Sequence, residues 1–262
     1  MSPTVFSFGG GRQSTAVLVL AARREIEPFD AWLFADVGHD SENPETLRYL
    51  AEHSGPYAAA HGLDLRAVRW DRRGGYLTLL QYLEQMPRQI PIPVSFGTGG
   101  PSNRKCTNAW KIDVVAREHR RLGATPEQPG ACGIGISVDE ISRARTDSKH
   151  PWQTPAYPLL DLGLTKDDCA EIVASAGLPP APRSSCWFCP FNSVVTWIDR
   201  RRAEPELYDR AVELERMLSD RAVGLGKDPC TLHPHGTLPD VTAQLSFDDL
   251  IADPCSGSSC FT

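Results

Sequence analysis

Two short patterns in this chain place reactive or ligand-holding groups at useful spacing. The first is Ser7-Phe8-Gly9-Gly10-Gly11-Arg12-Gln13-Ser14-Thr15. Three glycines let a backbone approach an anion closely. A helix opening just after them presents unpaired N–H groups and a positive dipole end. The hydroxyls of Ser14 and Thr15 can add donors. The segment is neither the G-x-x-x-x-G-K-[ST] phosphate loop nor the G-x-G-x-x-G dinucleotide turn. A glycine-rich turn with no ligand is the plainer reading of the same residues. The second pattern is Cys186-Trp187-Phe188-Cys189, with Cys106 far upstream in Arg104-Lys105-Cys106-Thr107-Asn108. Two residues between cysteines turn both thiolates to one side, so the pair can chelate a metal or a cluster. It can equally be a redox dithiol. Arg104 and Lys105 beside Cys106 favour its thiolate form.

Two acidic segments fall where ligands of open α/β sheets bind, beyond the carboxyl ends of strands. One is Phe34-Ala35-Asp36-Val37-Gly38-His39-Asp40, followed by Pro44-Glu45-Thr46. Here Asp36 can accept from a ribose hydroxyl or hold a metal, and His39 reads as a solvated loop residue. The other runs from Gly135 through Ser137, Asp139 and Glu140 to Arg143 and Arg145. Arginine's planar fork suits bidentate phosphate contact, and Asp139 or Glu140 can bind Mg²⁺. A solvated turn is the alternative there.

The elements needed to position these groups follow from hydrophobic periodicity. Short apolar runs at 5–8, 31–35, 65–69 and 131–137 read as buried strands. Helical patterns cover 13–24, 44–61, 75–86, 109–122, 165–176, 192–202 and 205–224. Thr165 sits at a cap position, with acidic residues in the first turn and Gly177 at the exit. Strands alternating with helices imply parallel β-α-β units. Residues 87–108 carry four prolines and three glycines and read as a long irregular loop, which in a compact domain is usually functional or disordered. Residues 227–262 read as an irregular tail.

The glycine turn resembles the PP-loop family of adenine-nucleotide enzymes, whose signature is Ser-Gly-Gly-x-Asp-Ser. It is most similar to the phosphoadenosine-phosphosulfate (PAPS) reductase branch, which reads S-F-S-G-G-K-D-S. Gly9 replaces a serine of that pattern and Gln13 an aspartate. The Asp36 segment is similar to the branch's F-x-D-T-G-x-E-x-P-E-T, and the Gly135 segment to its Gly-x-x-x-x-Glu-Ser-x-x-Arg. The cysteines resemble those of iron–sulfur members, in which a Cys-Cys pair joins a distant C-x-x-C. Thr107 stands in place of the second cysteine of that pair.

The resemblance implies a PP-loop (adenine nucleotide alpha hydrolase-like) α/β sandwich, with a largely parallel five-stranded sheet and a helical C-terminal appendage. The nucleotide domain would span 1–180 and the cysteine-containing region 181–262. It implies ATP with Mg²⁺ held by Ser7, Gly9, Gly10, Gly11, Arg12, Gln13, Ser14, Thr15, Asp36, Gly135 and Glu140, with Ser14, Asp36 and Arg143 catalytic. A [4Fe–4S] cluster would rest on Cys106, Cys186 and Cys189, with Cys260 of the tail as a fourth ligand. The activity implied is an ATP pyrophosphatase that activates an acceptor for sulfur incorporation, in the DndC/SspD-like branch of DNA phosphorothioation proteins. A cysteine desulfurase and other sulfur-pathway proteins would be partners. The alternative is a PAPS or APS reductase releasing sulfite, although the Glu-Cys-Gly-Leu-His tail of thioredoxin-dependent reductases is absent. A third reading is a nucleotide-binding iron–sulfur or zinc sensor.

Composition narrows the setting. The 262 residues carry 27 Lys+Arg against 33 Asp+Glu, a net charge of -6. A large basic nucleic-acid surface is not expected, so nucleic acid would be met through partners. The basic runs at 117–121 and 200–202 read as solvated helix faces. Eight cysteines are too few for a disulfide scaffold. No secretory leader or spanning segment is visible, so the expected place is the reducing cytoplasm. Cys132 and Cys169 read as core, and Cys230 is ambiguous.

Overall fold

The structure, a computed structural model, describes residues 2–72, 75–97, 101–102 and 104–243. In chain order the elements are β1 (Val5–Phe8), α1 (Arg12–Ala22), β2 (Ala31–Asp36), α2 (Pro44–Tyr49), α3 (Gly55–Ala60), β3 (Leu65–Arg69), β4 (Asp71–Arg72), β5 (Gly75–Tyr76), α4 (Leu79–Gln85), β6 (Ser95–Phe96), α5 (Asp113–Arg121), β7 (Gly130–Ile134), β8 (Gln153–Ala156), α6 (Pro158–Asp161), α7 (Lys166–Ser175), α8 (Val194–Ala203), α9 (Pro205–Gly224), β9 (Cys230–Thr231) and α10 (Leu238–Ala243). A π-helical turn joins α2 to α3 and another leads into α5, and a 3-10 turn covers Val138–Arg143.

The chain divides into two compact units. One comprises Met1–Thr78 and Asn108–Ser184, the other Leu79–Thr107 and the chain from Ser185 onward. The first unit is α/β, as expected. Its sheet has the order β3-β2-β1-β7-β8, and every pairing in it is parallel. Strand alternation sends side chains to both faces. Phe6, Phe8, Trp32 and Phe34 pack with Ala16, Val17 and Leu20 of α1 and with Cys169 and Val173 of α7. Val5, Ala31, Leu33 and Ala35 pack on the other face with Val115 of α5 and Cys132. Both faces are covered, which is why β1 and β2 read as unbroken apolar runs. Cys132 and Cys169 are core residues, and burial pushes their thiols up to about 12 and about 11.

Several expectations needed correction. Residues 75–78 are not helical: β5 pairs antiparallel with β4, and the helix starts only at Leu79. The expected helix over 44–61 is interrupted by the π turn just ahead of Gly55-Pro56, since proline has no N–H to donate. The fifth strand, β8, has no apolar run and contains Pro155. It lies at the sheet's edge, where a strand proline is tolerated. The second unit is mainly helical, with α4, α8, α9 and α10. A short antiparallel pairing of β6 with β9 brings Phe96 opposite Cys230, so the region after 227 is not wholly irregular. Cys230 is buried and its thiol is pushed up to about 11.

One core residue makes stability depend on pH. The fully buried His119 lies 2.8 Å by Nε2 from the Pro3 carbonyl and 3.2 Å by Nδ1 from the Gln153 amide. The neutral ring protonated at Nε2 satisfies both contacts. Burial lowers its pKa, with the Pro3 contact opposing. Below about 6.5 the unfolded chain binds a proton that the folded chain refuses, so this contribution to stability falls as pH drops. The urea midpoint of the wild type is expected to decrease between about pH 7.5 and pH 5.5 by more than that of His119→Gln. Parallel pH curves for the two proteins would show that His119 is not the group responsible.

Candidate functional site

The glycine turn connects β1 to α1 at the carboxyl end of the sheet. Gly10 has φ +78°, and a Cβ there would meet Thr46 Cγ2 at 2.9 Å and the Phe34 ring at 3.4 Å. Only glycine fits both the left-handed backbone and the space. Gly11 is the extended N-cap of α1. Its N–H donates to Ser14 Oγ at 3.1 Å, and the Ser14 and Thr15 hydroxyls reach its carbonyl at 2.9 and 3.0 Å. Both hydroxyls therefore shape the turn, and Thr15 is fully buried. Arg12 is exposed at the first helical position, and Gly9 is exposed beside it. Ser7 lies within the sheet, registered between Leu33 and Ile134. At the end of β7, a Cβ on Gly135 would stand 3.2 Å from Ser14 N. The bare backbone of Gly135 thus allows the first turn of α1 to sit against the sheet.

Polar groups flank this turn on two sides. On one, Gln13 Nε2 donates to Ser137 Oγ at 2.9 Å and to Glu140 Oε2 at 2.7 Å. Glu140 also pairs with Arg143, and with Lys166 Nζ at 3.3 Å. Burial opposes its ionisation, but the Gln13 amide, Arg143 and Lys166 together hold the Glu140 carboxyl below the usual range. Asp139 accepts from the Lys166 N–H at 2.6 Å. On the other side, Asp36 ends β2. Its Oδ1 accepts from Gly38 N at 2.8 Å and its Oδ2 from Arg69 Nε at 2.7 Å. The Arg69 guanidinium lies 5.1 Å from the Tyr76 ring centroid. Gly38, at φ +117°, leaves room for Thr78, whose hydroxyl donates to Asp40 at 2.8 Å.

Glu140→Gln should lower stability by about 2 kcal/mol, because a largely buried Arg143 would keep its charge after its carboxylate is removed. The shift is read from urea denaturation at neutral pH. An unchanged midpoint would mean that solvent, rather than Glu140, balances Arg143.

Sequence reasoning missed five residues of this region. Ser184 donates to the Gly9 carbonyl, and Pro182 and Ser184 lie beside Gly11. Lys166 joins the Glu140 cluster, and only its place at the start of a capped helix hinted at it. Arg69 neutralises Asp36. Glu42, four residues beyond Gly38, is almost wholly buried with Oε2 unpartnered. Burial raises its pKa, and Lys111 opposes the rise.

The cysteine pattern belongs to the second unit. The Cys189 N–H donates to the Cys186 carbonyl at 3.0 Å, so the two cysteines share one tight turn, and Asn192 N continues it onto the Cys189 carbonyl. Trp187 and Phe188 are buried, 4.8 Å apart edge to face, and anchor the turn. Arg200 is also buried and donates to the Trp187 carbonyl. This corrects the reading of 200–202 as a solvated face at Arg200 alone. Arg201 and Arg202 are exposed, Arg201 with a hydrogen bond to Thr242 Oγ1. Cys106 is fixed through its N–H to the Pro91 carbonyl at 2.9 Å. The Arg104 guanidinium lies 4.5 Å from the Phe191 ring centroid, which sets the Cys106 segment beside the Cys186–Cys189 turn. Cys106, Cys186 and Cys189 are all half-buried. Among the described residues, no three His, Cys, Asp or Glu side chains form a group that could hold a metal ion. The turn thus fits half of a cluster's ligand set, while no full set is assembled among the described residues. Cys260 lies outside the described residues.

No family model and no curated protein sequence matches the chain. Among solved structures it is similar to a PAPS reductase from Candida auris in complex with phosphate. The identity is 14%, with 68% of this chain and 74% of that one covered and a TM-score of 0.45. It is also similar to the U34-tRNA thiolase NcsA from Methanococcus maripaludis, which carries a [4Fe–4S] cluster. There the identity is 11%, the coverage 82% and 71%, and the TM-score 0.40. Likenesses this distant transfer no chemistry. Among the described residues, no helix is long and apolar enough to cross a membrane.

Proposed function

We propose that the chain is a PP-loop enzyme that cleaves ATP to AMP and pyrophosphate, and so activates an acceptor for sulfur incorporation. The carrying observation is the turn at Gly9–Gly11. It combines a left-handed glycine, the N-terminus of an 11-residue helix and the close approach of Gly135 at the carboxyl end of a parallel strand. Helix-terminal N–H groups and the positive dipole end suit a pyrophosphate, and they stabilise it further as it leaves. Arg143 and Lys166 supply cationic charge nearby, with Glu140 and Gln13 holding them in place. Asp36, its position set by Arg69, is the candidate acceptor for a ribose hydroxyl. Mg²⁺ would arrive on the ATP phosphates, since it is commonly held by one or two carboxylates plus substrate oxygens. Asp36 and Glu140 are the carboxylates nearest to that role.

Cys106, Cys186 and Cys189 would hold an iron–sulfur cluster serving the sulfur chemistry, with Cys260 as fourth ligand. A cysteine desulfurase would be the sulfur source. The finer assignment, to the DndC/SspD-like branch acting in DNA phosphorothioation, rests on the motif resemblance alone. A PAPS or APS reductase remains the second reading, because the same glycine turn suits the phosphates of PAPS.

Anaerobically purified protein incubated with ATP and Mg²⁺ should yield AMP and pyrophosphate in equal amounts. If neither forms, with or without candidate acceptors, the proposal fails. Sulfite release from PAPS with thioredoxin would replace it with the second reading.

A further inference from the structure

The second unit carries a groove of about 270 Å³ that the proposed ATP cleavage does not use. Arg88, Lys105 and Lys227 line it together with Phe96, Ser102 and Leu225, and no carboxylate does. The three cations are exposed, and among the described residues none is paired with a carboxylate. The groove is held in shape from behind. The β6–β9 pairing sets Phe96 opposite Cys230, three residues past Lys227. Arg221 of α9 donates to the Leu83 and Gln89 carbonyls, which fixes the segment bearing Arg88. Lys105 precedes Cys106, whose N–H is tied to the Pro91 carbonyl, another part of the lining. Lys227 Nζ lies 5.5 Å from the Phe96 ring centroid.

We infer that this groove binds single-stranded nucleic acid directly. Three exposed cations drawn from three segments suit a string of phosphates. Binding of a polyanion gains from counterion release at each contact, an advantage that a single nucleotide lacks. The Phe96 ring, over which Lys227 lies in the unbound chain, gives an unpaired base a face to stack on once the ammonium turns to a phosphate, which a duplex does not offer. Ring and ammonium are close enough for a base and its own phosphate to meet both. A net charge of -6 argues against a broad basic surface, and the groove is a local exception to it. The inference is independent of the ATP reading, because the groove would bind a strand whether or not ATP is cleaved.

The test uses the whole chain and fluorescence anisotropy with a labelled mixed-sequence 12-nucleotide RNA, the matching DNA strand and the matching duplex. At low salt at least one single strand should bind more tightly than the duplex. Its log affinity should fall against log salt with a slope of about -2, from three contacts. Comparing the RNA and DNA arms tells which sugar is preferred. Arg88→Glu with Lys227→Glu should weaken binding at least ~10-fold and flatten the slope by about 1.4. Arg88→Gln with Lys227→Gln, the variant to use should charge reversal disturb the fold, should flatten the slope by the same ~1.4 with a smaller loss of affinity. Phe96→Leu should lower affinity ~5-fold or more while leaving the slope unchanged. Equal binding of duplex and strand, displacement by polyglutamate as effective as by unlabelled strand, displacement by AMP at equal nucleotide concentration, or indifference to the charge changes would each overturn the inference. If strands bind as expected but no pyrophosphate forms from ATP, the groove stands and the proposed activity falls.

Discussion

Replacing Gly10 by valine should abolish ATP turnover, with at least a ~100-fold loss, while the folded chain persists. At φ +78° an L side chain is strained, at a cost of about 1–2 kcal/mol. The space is closed as well, because the Cβ alone would stand 2.9 Å from Thr46 Cγ2, and valine adds two methyl groups. Thr46 lies fully buried in α2 and the Phe34 ring is part of the core, so neither yields readily. The turn must move instead. Its displacement would carry the first N–H groups of α1 away from the phosphates, and misplacement by about 1 Å is enough for a loss of this size. Gly9 is the control. Its Cβ would meet nothing nearer than Ser14 Oγ at 3.9 Å, so Gly9→Ala should leave the melting temperature unchanged. Pyrophosphate release and calorimetric titration with a non-hydrolysable ATP analogue are the readouts. Turnover by Gly10→Val within threefold of wild type would mean that the turn is not a phosphate cradle.

Why this turn was legible, while its surroundings were not, has a physical basis. Three glycines between a buried strand and a helix are a local signal, readable without knowing what packs where. The buried strands β1 and β2 announce themselves for the same reason, as apolar runs covered on both faces. The partners of the turn are separated from it by long stretches of chain. Gln13 meets Glu140 across 127 positions and Ser184 meets Gly9 across 175, and nothing local encodes either contact. Edge and two-residue strands fail differently. Strand β8 is Gln-Thr-Pro-Ala and reads as loop, and β6 and β9 are two residues each and form through their distant pairing. Arg200 was misread because a basic run normally faces solvent. Burial of one guanidinium in such a run depends on the Trp187 carbonyl, which belongs to the preceding turn.

The cysteines give the second large effect. Cys186→Ser or Cys189→Ser should remove the visible absorbance and the iron, about four atoms per chain, from anaerobically isolated protein, whereas Cys169→Ser should keep both. The contrast lies in the surroundings of each thiol. Cys169 is fully buried between α1 and α7, and burial pushes its thiol up to about 11, so it is a poor source of the thiolate that ligation needs. Its replacement by serine instead buries a hydroxyl in the apolar core, at a cost of about 1–3 kcal/mol that appears as a lower melting temperature with the iron retained. Cys186 and Cys189 are half-buried on one turn, which Trp187, Phe188 and Arg200 hold rigid from within. Serine keeps that backbone turn, so loss of iron in these variants would report ligation rather than unfolding. Cys106→Ser separates two outcomes. If iron is lost, the Arg104–Phe191 contact marks a real convergence of three thiols. If iron stays, the Cys186–Cys189 pair takes its remaining ligands elsewhere. Protein that is colourless and iron-free when isolated without oxygen would instead leave the pair as a dithiol, and the sulfur chemistry would have to run through thiols alone.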